Sequence, residues 1–159
     1  MLSYKLNSLK LVKYRFWNSL DIFFPKRWNL KEGEKEKFVN VEINPQLSIL
    51  FEHFEIKKDN KERNDDNIIT NLLSEITKDV QVNGQKLTKS EGSNYLFSFY
   101  SIENQQNGSL KNNIWYMLSV KKAKIIIISF IFTYDNQNRL EGDIYSNKIE
   151  SLIKSSELN

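Results

Sequence analysis

The segment 125–132 restricts the fold of this chain more than any other feature of its sequence. Seven of its eight residues are apolar, and Ser129 is the exception. Eight residues are too few to cross a bilayer as a helix. Because successive side chains of a strand point to opposite faces, this segment is apolar on both faces if it is extended. It therefore predicts a central strand that is covered on both sides.

Alternating or apolar segments predict the strands around this central one. Residues 14–24 alternate and predict one long, half-buried strand, which Pro25 ends. The pair Asn83-Gly84 is a type I′ turn signal, and residues 105–113 indicate a polar loop. Further strands are predicted at 39–43, 47–56, 95–102 and 114–120, and the last of these forms a hairpin with 124–134 around Lys121-Lys122.

Two segments have the apolar periodicity of helices. Residues 68–80 place their apolar residues on one helical stripe, with Asp65 or Asp66 as the N-cap. Residues 140–153 form the last amphipathic helix, and Asn138 followed by Glu141 resembles a capping box. Residues 1–13 are an N-terminal extension that fits either a short helix or a strand.

Runs of strands between two separated helices predict an α+β fold. We expect residues 1–159 to form a single domain. Its core is predicted to be a single, mostly antiparallel sheet of about six strands covered by two or three helices. Residues 57–66 are a polar loop within this domain rather than a linker.

Composition excludes several classes of function. The chain has no cysteine and one histidine, which excludes disulfides, thiolate nucleophiles and multi-histidine metal sites. Its five glycines are isolated, so no phosphate-binding or dinucleotide-binding fingerprint exists. No cofactor or metal is predicted. The first 13 residues lack the apolar core of a secretion signal, and no segment is long enough to span a membrane, so a cytoplasmic protein is expected.

The N-terminal third is strongly basic. Residues 1–31 contain seven Lys or Arg and one Asp, a balance of +6, and aromatic residues stand between the basic ones. Three interpretations remain open: a strand with a basic polar face, a nucleic-acid site that stacks bases on the aromatics, and a docking surface for an acidic partner. The alternation puts Trp17 on the polar face with Arg15. The predicted partner-binding residues are Arg15, Trp17, Lys26 and Arg27.

His53 is the only candidate imidazole for catalysis. Glu55 lies on the same face of the predicted strand and is a possible partner for general-base chemistry. No serine stands in a nucleophile-elbow context. The sequence therefore predicts a non-catalytic protein, with an enzyme that uses His53 as an alternative.

Residues 20–28, Leu-Asp-Ile-Phe-Phe-Pro-Lys-Arg-Trp, carry a resemblance to PsbP-like proteins. In that fold family, which includes Mog and DcrB proteins and the Eag chaperones of type VI secretion, an early strand ends in a Pro-x-x-Trp motif that Pro25 and Trp28 match. The resemblance implies an α/β/α sandwich and a non-enzymatic, protein-binding role, and it carries over no site. The function expected is an immunity protein, or a chaperone or adaptor, for a toxin or secreted effector. Nucleic-acid binding through the basic N-terminal third is the alternative.

Overall fold

The computed structural model describes residues 2–32, 37–58, 64–90 and 94–159. Within these residues there are three helices, α1 Leu2–Asn7, α2 Asp65–Thr77 and α3 Arg139–Lys154. The same residues form ten strands: β1 Leu11–Phe16, β2 Leu20–Pro25, β3 Asn29–Glu32, β4 Phe38–Asn44, β5 Leu47–Lys57, β6 Asn83–Lys89, β7 Asn94–Gln105, β8 Gly108–Val120, β9 Lys124–Asp135 and β10 Glu157–Leu158.

The strands form two sheets, so the prediction of a single sheet of about six strands in an α/β/α sandwich is wrong. A sheet of three strands has the order β1-β2-β10, and a sheet of seven strands has the order β3-β4-β5-β9-β8-β7-β6. Neighbouring strands are antiparallel throughout. The described part of the chain is therefore mostly β.

The second sheet arises because residues 14–24 are not one strand. The chain reverses at Trp17 and Asn18, which both have φ of 53°, as a type I′ turn requires. The backbone N–H of Ser19 donates to the carbonyl of Phe16 at 3.0 Å and closes the turn. Phe16 and Leu20 are Cα partners, so both point to the core. The inward pattern thus continues across the turn, and alternation alone could not reveal the reversal.

Each face of the seven-stranded sheet has its own core. On one face, α3 and the three-stranded sheet enclose Phe24, Phe51 and Phe130, with Ile149 of α3 packed beside them. On the other face, α2 places Ile69 and Leu73 over β7, β8 and β9. Strand β9 lies between β5 and β8, and residues 125–128 are buried. The predicted central strand covered on both sides is confirmed.

Several local predictions need correction. Asn83-Gly84 is not a hairpin turn: it begins β6, where Gly84 has φ of 59° beside an irregularity between Asn83 and Lys86. The segment 105–113 is not a loop, because Gln105 already pairs with Gly108 across a tight turn between β7 and β8.

The helix ends also differ from the sequence prediction. The N-cap of α2 is Asn64, whose side chain accepts from the backbone N–H of Asn67, rather than Asp65 or Asp66. Asn138 does stand at the N-cap of α3, but its side chain makes no cap hydrogen bond and donates to Asp135 instead. The N-terminal extension combines both alternatives, since α1 is followed by a strand from Leu11. None of the helices in the described ranges is long and apolar enough to cross a membrane.

Candidate functional site

The outward side of the β1–β2 hairpin is the first part of the candidate site. Because side chains alternate along a strand, Leu20, Ile22 and Phe24 point into the core and their neighbours point outward. We call this outward surface the hairpin face, which consists of Leu11, Lys13, Arg15, Asp21 and Phe23.

Arg15 on the hairpin face is held by Asp21, which stands directly opposite it across the strands. Nε and Nη2 of Arg15 donate to the two carboxylate oxygens of Asp21, each at 2.7 Å. Lys13 approaches the same carboxylate at 3.7 Å. The hydrogen bond from Arg15 is the main reason that the pKa of Asp21 lies below its ordinary value. Arg15 therefore already neutralises the buried carboxylate of Asp21 within this chain.

Two large apolar side chains lie exposed among these charges. Leu11 and Phe23 each leave 40% of their surface accessible to solvent. Leu11 pairs with Pro25 and Lys13 pairs with Phe23, so Leu11 and Phe23 are diagonal neighbours, roughly 7 Å apart. The hairpin face therefore combines a small exposed apolar pair with cations.

A cavity of about 340 Å³ lies at the open end of the hairpin. A hydrogen bond of 2.8 Å from the backbone N–H of Lys26 to the carbonyl of Lys10 joins its two sides. In the described part of the chain, none of its four cations forms an ion pair with a carboxylate. We call this cavity the basic hollow, and it is lined by Lys5, Ser8, Leu9, Lys10, Lys26 and Arg27.

The four predicted partner-binding residues do not form one cluster. Lys26 and Arg27 lie together at the basic hollow. Arg15 lies near the other end of the hairpin, five residues along β1 from Lys10, which is roughly 17 Å. Trp17 lies in the turn beyond Arg15.

Trp17 is not on the exposed polar face, so its predicted placement is wrong. Its ring is half-buried and stacks on the imidazole of His53 at 5.3 Å between centroids. The indole also makes a T-shaped contact with the ring of Phe51, with 5.7 Å between the ring centroids. The chain reverses at this residue, which turns the indole toward the seven-stranded sheet. A role of Trp17 in binding stays a prediction.

His53 is enclosed beside Trp17 and has no hydrogen bond at Nε2 within the described residues. The nearest carboxylate oxygen, Oε1 of Glu55, is 3.8 Å away, and it already accepts from Nζ of Lys124 at 2.9 Å. Burial is the main cause that lowers the pKa of His53, Glu55 opposes that shift and Lys124 adds to it. His53 and Glu55 therefore lie near each other without a hydrogen bond, and His53 is neutral at neutral pH because its pKa is lowered. A catalytic role for this pair stays a prediction.

The lowered pKa of His53 predicts a loss of stability at mildly acidic pH. The unfolded chain takes up the proton at its ordinary pKa near 6.5, whereas the folded protein resists it. The free energy of unfolding should therefore fall as pH drops below about 6.5 and level off below the folded-state pKa. Urea unfolding at pH about 7.5 and about 5.5 measures this, since the carboxylates titrate mainly below pH about 4.5.

The matched variant for this prediction is His53→Phe, which keeps a ring beside Trp17 and removes the titrating group. Its stability should change much less between the two pH values. If the wild-type protein and His53→Phe lose the same free energy of unfolding on acidification, another group causes the pH dependence.

Three of the six described aromatic side chains in the basic N-terminal third are buried core residues. Phe16, Phe24 and Trp28 are buried in the core between the two sheets. Base stacking needs exposed rings, so these three residues cannot provide it. The nucleic-acid alternative keeps its charges but loses Phe16, Phe24 and Trp28 as stacking surfaces.

Sequence reasoning missed Leu11, Phe23, Lys5 and Lys10 as members of the site. One signal was present for Phe23, because the run Ile22-Phe23-Phe24 breaks the alternation with an apolar residue at a polar position. The other three residues could not be recognised, because the alternation of residues 14–24 gave no indication of the turn at Trp17. With residues 14–24 treated as one strand, nothing placed Lys10 beside Lys26.

The complete arrangement of helices and strands can be compared with solved structures. It resembles LpqN. The crystal structure of LpqN, described as involved in cell envelope biogenesis of Mycobacterium tuberculosis, matches with a TM-score of 0.62, covering 98% of this chain and 94% of that chain. The two sequences are 7% identical, so the likeness to LpqN concerns the fold alone. No protein-family model matches the chain, and no curated protein matches its sequence. The resemblance to PsbP-like proteins stays a prediction.

Proposed function

We propose that this protein is a non-catalytic module that binds another protein through its hairpin face. It acts as an immunity protein, or as a chaperone or adaptor, for a toxin or secreted effector. The observation that carries the proposal is the exposed pair Leu11 and Phe23, which lies between the Arg15–Asp21 ion pair and the basic hollow.

Physical reasons support binding at this surface. The free energy of protein association comes mostly from a few apolar or aromatic anchors that become buried, and charges around them set the association rate and the choice of partner. Leu11 and Phe23 are such anchors in this proposal, and Lys13 and Arg15 flank them on the paired strands β1 and β2. Strand β1 is also an edge of its sheet, so its backbone is open on one side.

The test uses the purified product of the gene next to this one in its native host as the partner. The double variant Leu11→Ser/Phe23→Ser should weaken binding by roughly 2 kcal/mol or more, about thirty-fold in Kd. Because both side chains are exposed, the melting temperature should change little. Biolayer interferometry gives the Kd, and thermal unfolding checks the fold.

The control is Leu87→Ser on β6, which removes a leucine that is 49% exposed at the far edge of the seven-stranded sheet. It should bind the partner as the wild-type protein does. Equal loss of binding in Leu87→Ser and in the double variant would argue against the hairpin face. A neighbouring gene product that does not bind the wild-type protein would argue against the immunity or adaptor role.

A further inference from the structure

We infer that the basic hollow binds an acidic segment of a partner protein through the carboxylates of that segment. This inference rests on the proposed protein-binding function and names the chemistry of its partner. The hollow is the cavity of about 340 Å³ at the open end of the β1–β2 hairpin.

The charges of the hollow are its first argument. Lys5 of α1, Lys10 before β1, and Lys26 and Arg27 after β2 bring four cations from three parts of the chain to one cavity. Like charges that share a cavity repel each other, and an anion between them relieves that repulsion. Arg15, by contrast, has an anion of the chain itself beside it, the carboxylate of Asp21. In the described ranges no carboxylate forms an ion pair with these four cations.

The shape of the hollow is the second argument. Cations scattered on a convex surface are solvated separately, whereas cations around a concavity act on the same bound anion. The guanidinium of Arg27 can hold a carboxylate with two parallel hydrogen bonds, and the lysine ammonium groups add point charges around it. The backbone hydrogen bond of 2.8 Å from Lys26 to Lys10 joins the two sides of the hollow.

The surroundings favour an acidic protein segment over a nucleic acid. Among the described residues that line the hollow there is no aromatic side chain on which a base could stack. Leu9 lines the hollow, and the exposed Leu11 follows Lys10 directly at its edge. An acidic segment that also carries an apolar residue would place its carboxylates in the hollow and pack the apolar residue against Leu11 and Phe23.

The test measures fluorescence anisotropy of a fluorescein-labelled octaglutamate peptide with the full chain at about 50 mM salt, where screening is weak. The wild-type protein should bind the peptide, and added salt should weaken binding. Lys26→Glu/Arg27→Glu should raise the Kd roughly tenfold or more, because two attractions become repulsions. Arg27→Lys keeps the charge but cannot donate two parallel hydrogen bonds to one carboxylate, so we expect it to raise the Kd less than the double variant does.

The matched control is Lys121→Glu/Lys122→Glu, which makes the same charge change in an exposed turn at the start of β9. It should leave the Kd within about twofold. Equal weakening in both variants, or no binding by the wild-type protein, would overturn the inference. If an oligothymidylate of eight nucleotides bound at the hollow more tightly than octaglutamate, the hollow would be a nucleic-acid site instead.

The same peptide separates this inference from the proposed function. Leu11→Ser/Phe23→Ser should leave octaglutamate binding unchanged, because the peptide has no apolar side chain for that surface. If the hollow fails to bind octaglutamate while the hairpin face binds the partner, only the inference about acidic segments is wrong.

Discussion

Ile127→Asp is expected to unfold the protein. Ile127 is 3% exposed on the central strand, with Phe54 of β5 and Leu118 of β8 as its cross-strand partners and the core under α2 around it. A carboxylate there either remains charged without a partner or must become neutral, and both outcomes cost free energy. The loss of stability should be about 4 kcal/mol or more, a large part of what a domain of this size has. Circular dichroism and urea unfolding measure it.

A matched control lies on the same face of the neighbouring strand. Ile56 pairs with Ile125 but is 39% exposed, so water can solvate an aspartate there. We expect Ile56→Asp to cost about 1 kcal/mol or less. If Ile127→Asp is as stable as Ile56→Asp, then β9 is not the closed central strand of the fold.

Gly142→Ala is expected to destabilise the protein by about 2–3 kcal/mol, although alanine in an exposed helix position would stabilise it by about 0.5–1 kcal/mol. A Cβ at Gly142 would lie 2.6 Å from Cδ1 of Tyr134 and overlap the rest of that ring. The ring cannot move away easily, because the Tyr134 hydroxyl donates to Asp143, which also accepts from Nζ of Lys111 at 3.1 Å. Urea unfolding gives the difference in stability.

The cause of this effect can be isolated with a second change at the ring. The Tyr134 hydroxyl is protonated at neutral pH and donates to Asp143, and burial is the main reason that its pKa lies far above the ordinary value. Tyr134→Leu removes both the ring and this donor. The double variant Gly142→Ala/Tyr134→Leu should therefore be more stable than the sum of the two single effects predicts. Simple additivity would show that the overlap with Tyr134 is not the cause. Ser151→Ala, at an exposed position of α3, controls for helix propensity.

Apolar patterns within one short segment of the sequence predicted the correct secondary structure without the structure. The doubly apolar segment 125–132 predicted the central strand, and the Lys121-Lys122 hairpin was predicted with it. The apolar stripe of 68–80 predicted α2. In each case the signal is the burial of particular side chains, which a fold of any topology must satisfy.

The candidate site could be predicted only in part. Lys26 and Arg27 were selected for their charge next to Pro25, and they do line the basic hollow. Trp17 was assigned to the wrong surface because Phe16 and Leu20 keep the same inward direction on both sides of the turn. A tryptophan at positive φ is unfavourable in isolation, so no local propensity indicated a turn there.

Local sequence therefore specified the buried side chains of β9 and the apolar stripe of α2, since alternation and helical periodicity follow directly from the geometry of one strand or helix. It also specified the charge of the N-terminal third. The division into two sheets, the neighbours of each strand and the meeting of Lys5, Lys10, Lys26 and Arg27 depend on pairings between distant segments. The stacking of Trp17 on His53 joins residues from the two sheets, and it accompanies a backbone conformation that the local chain disfavours. Such features are set by the packing of the whole core, where burial of Phe16 and Phe51 outweighs the cost of one strained turn.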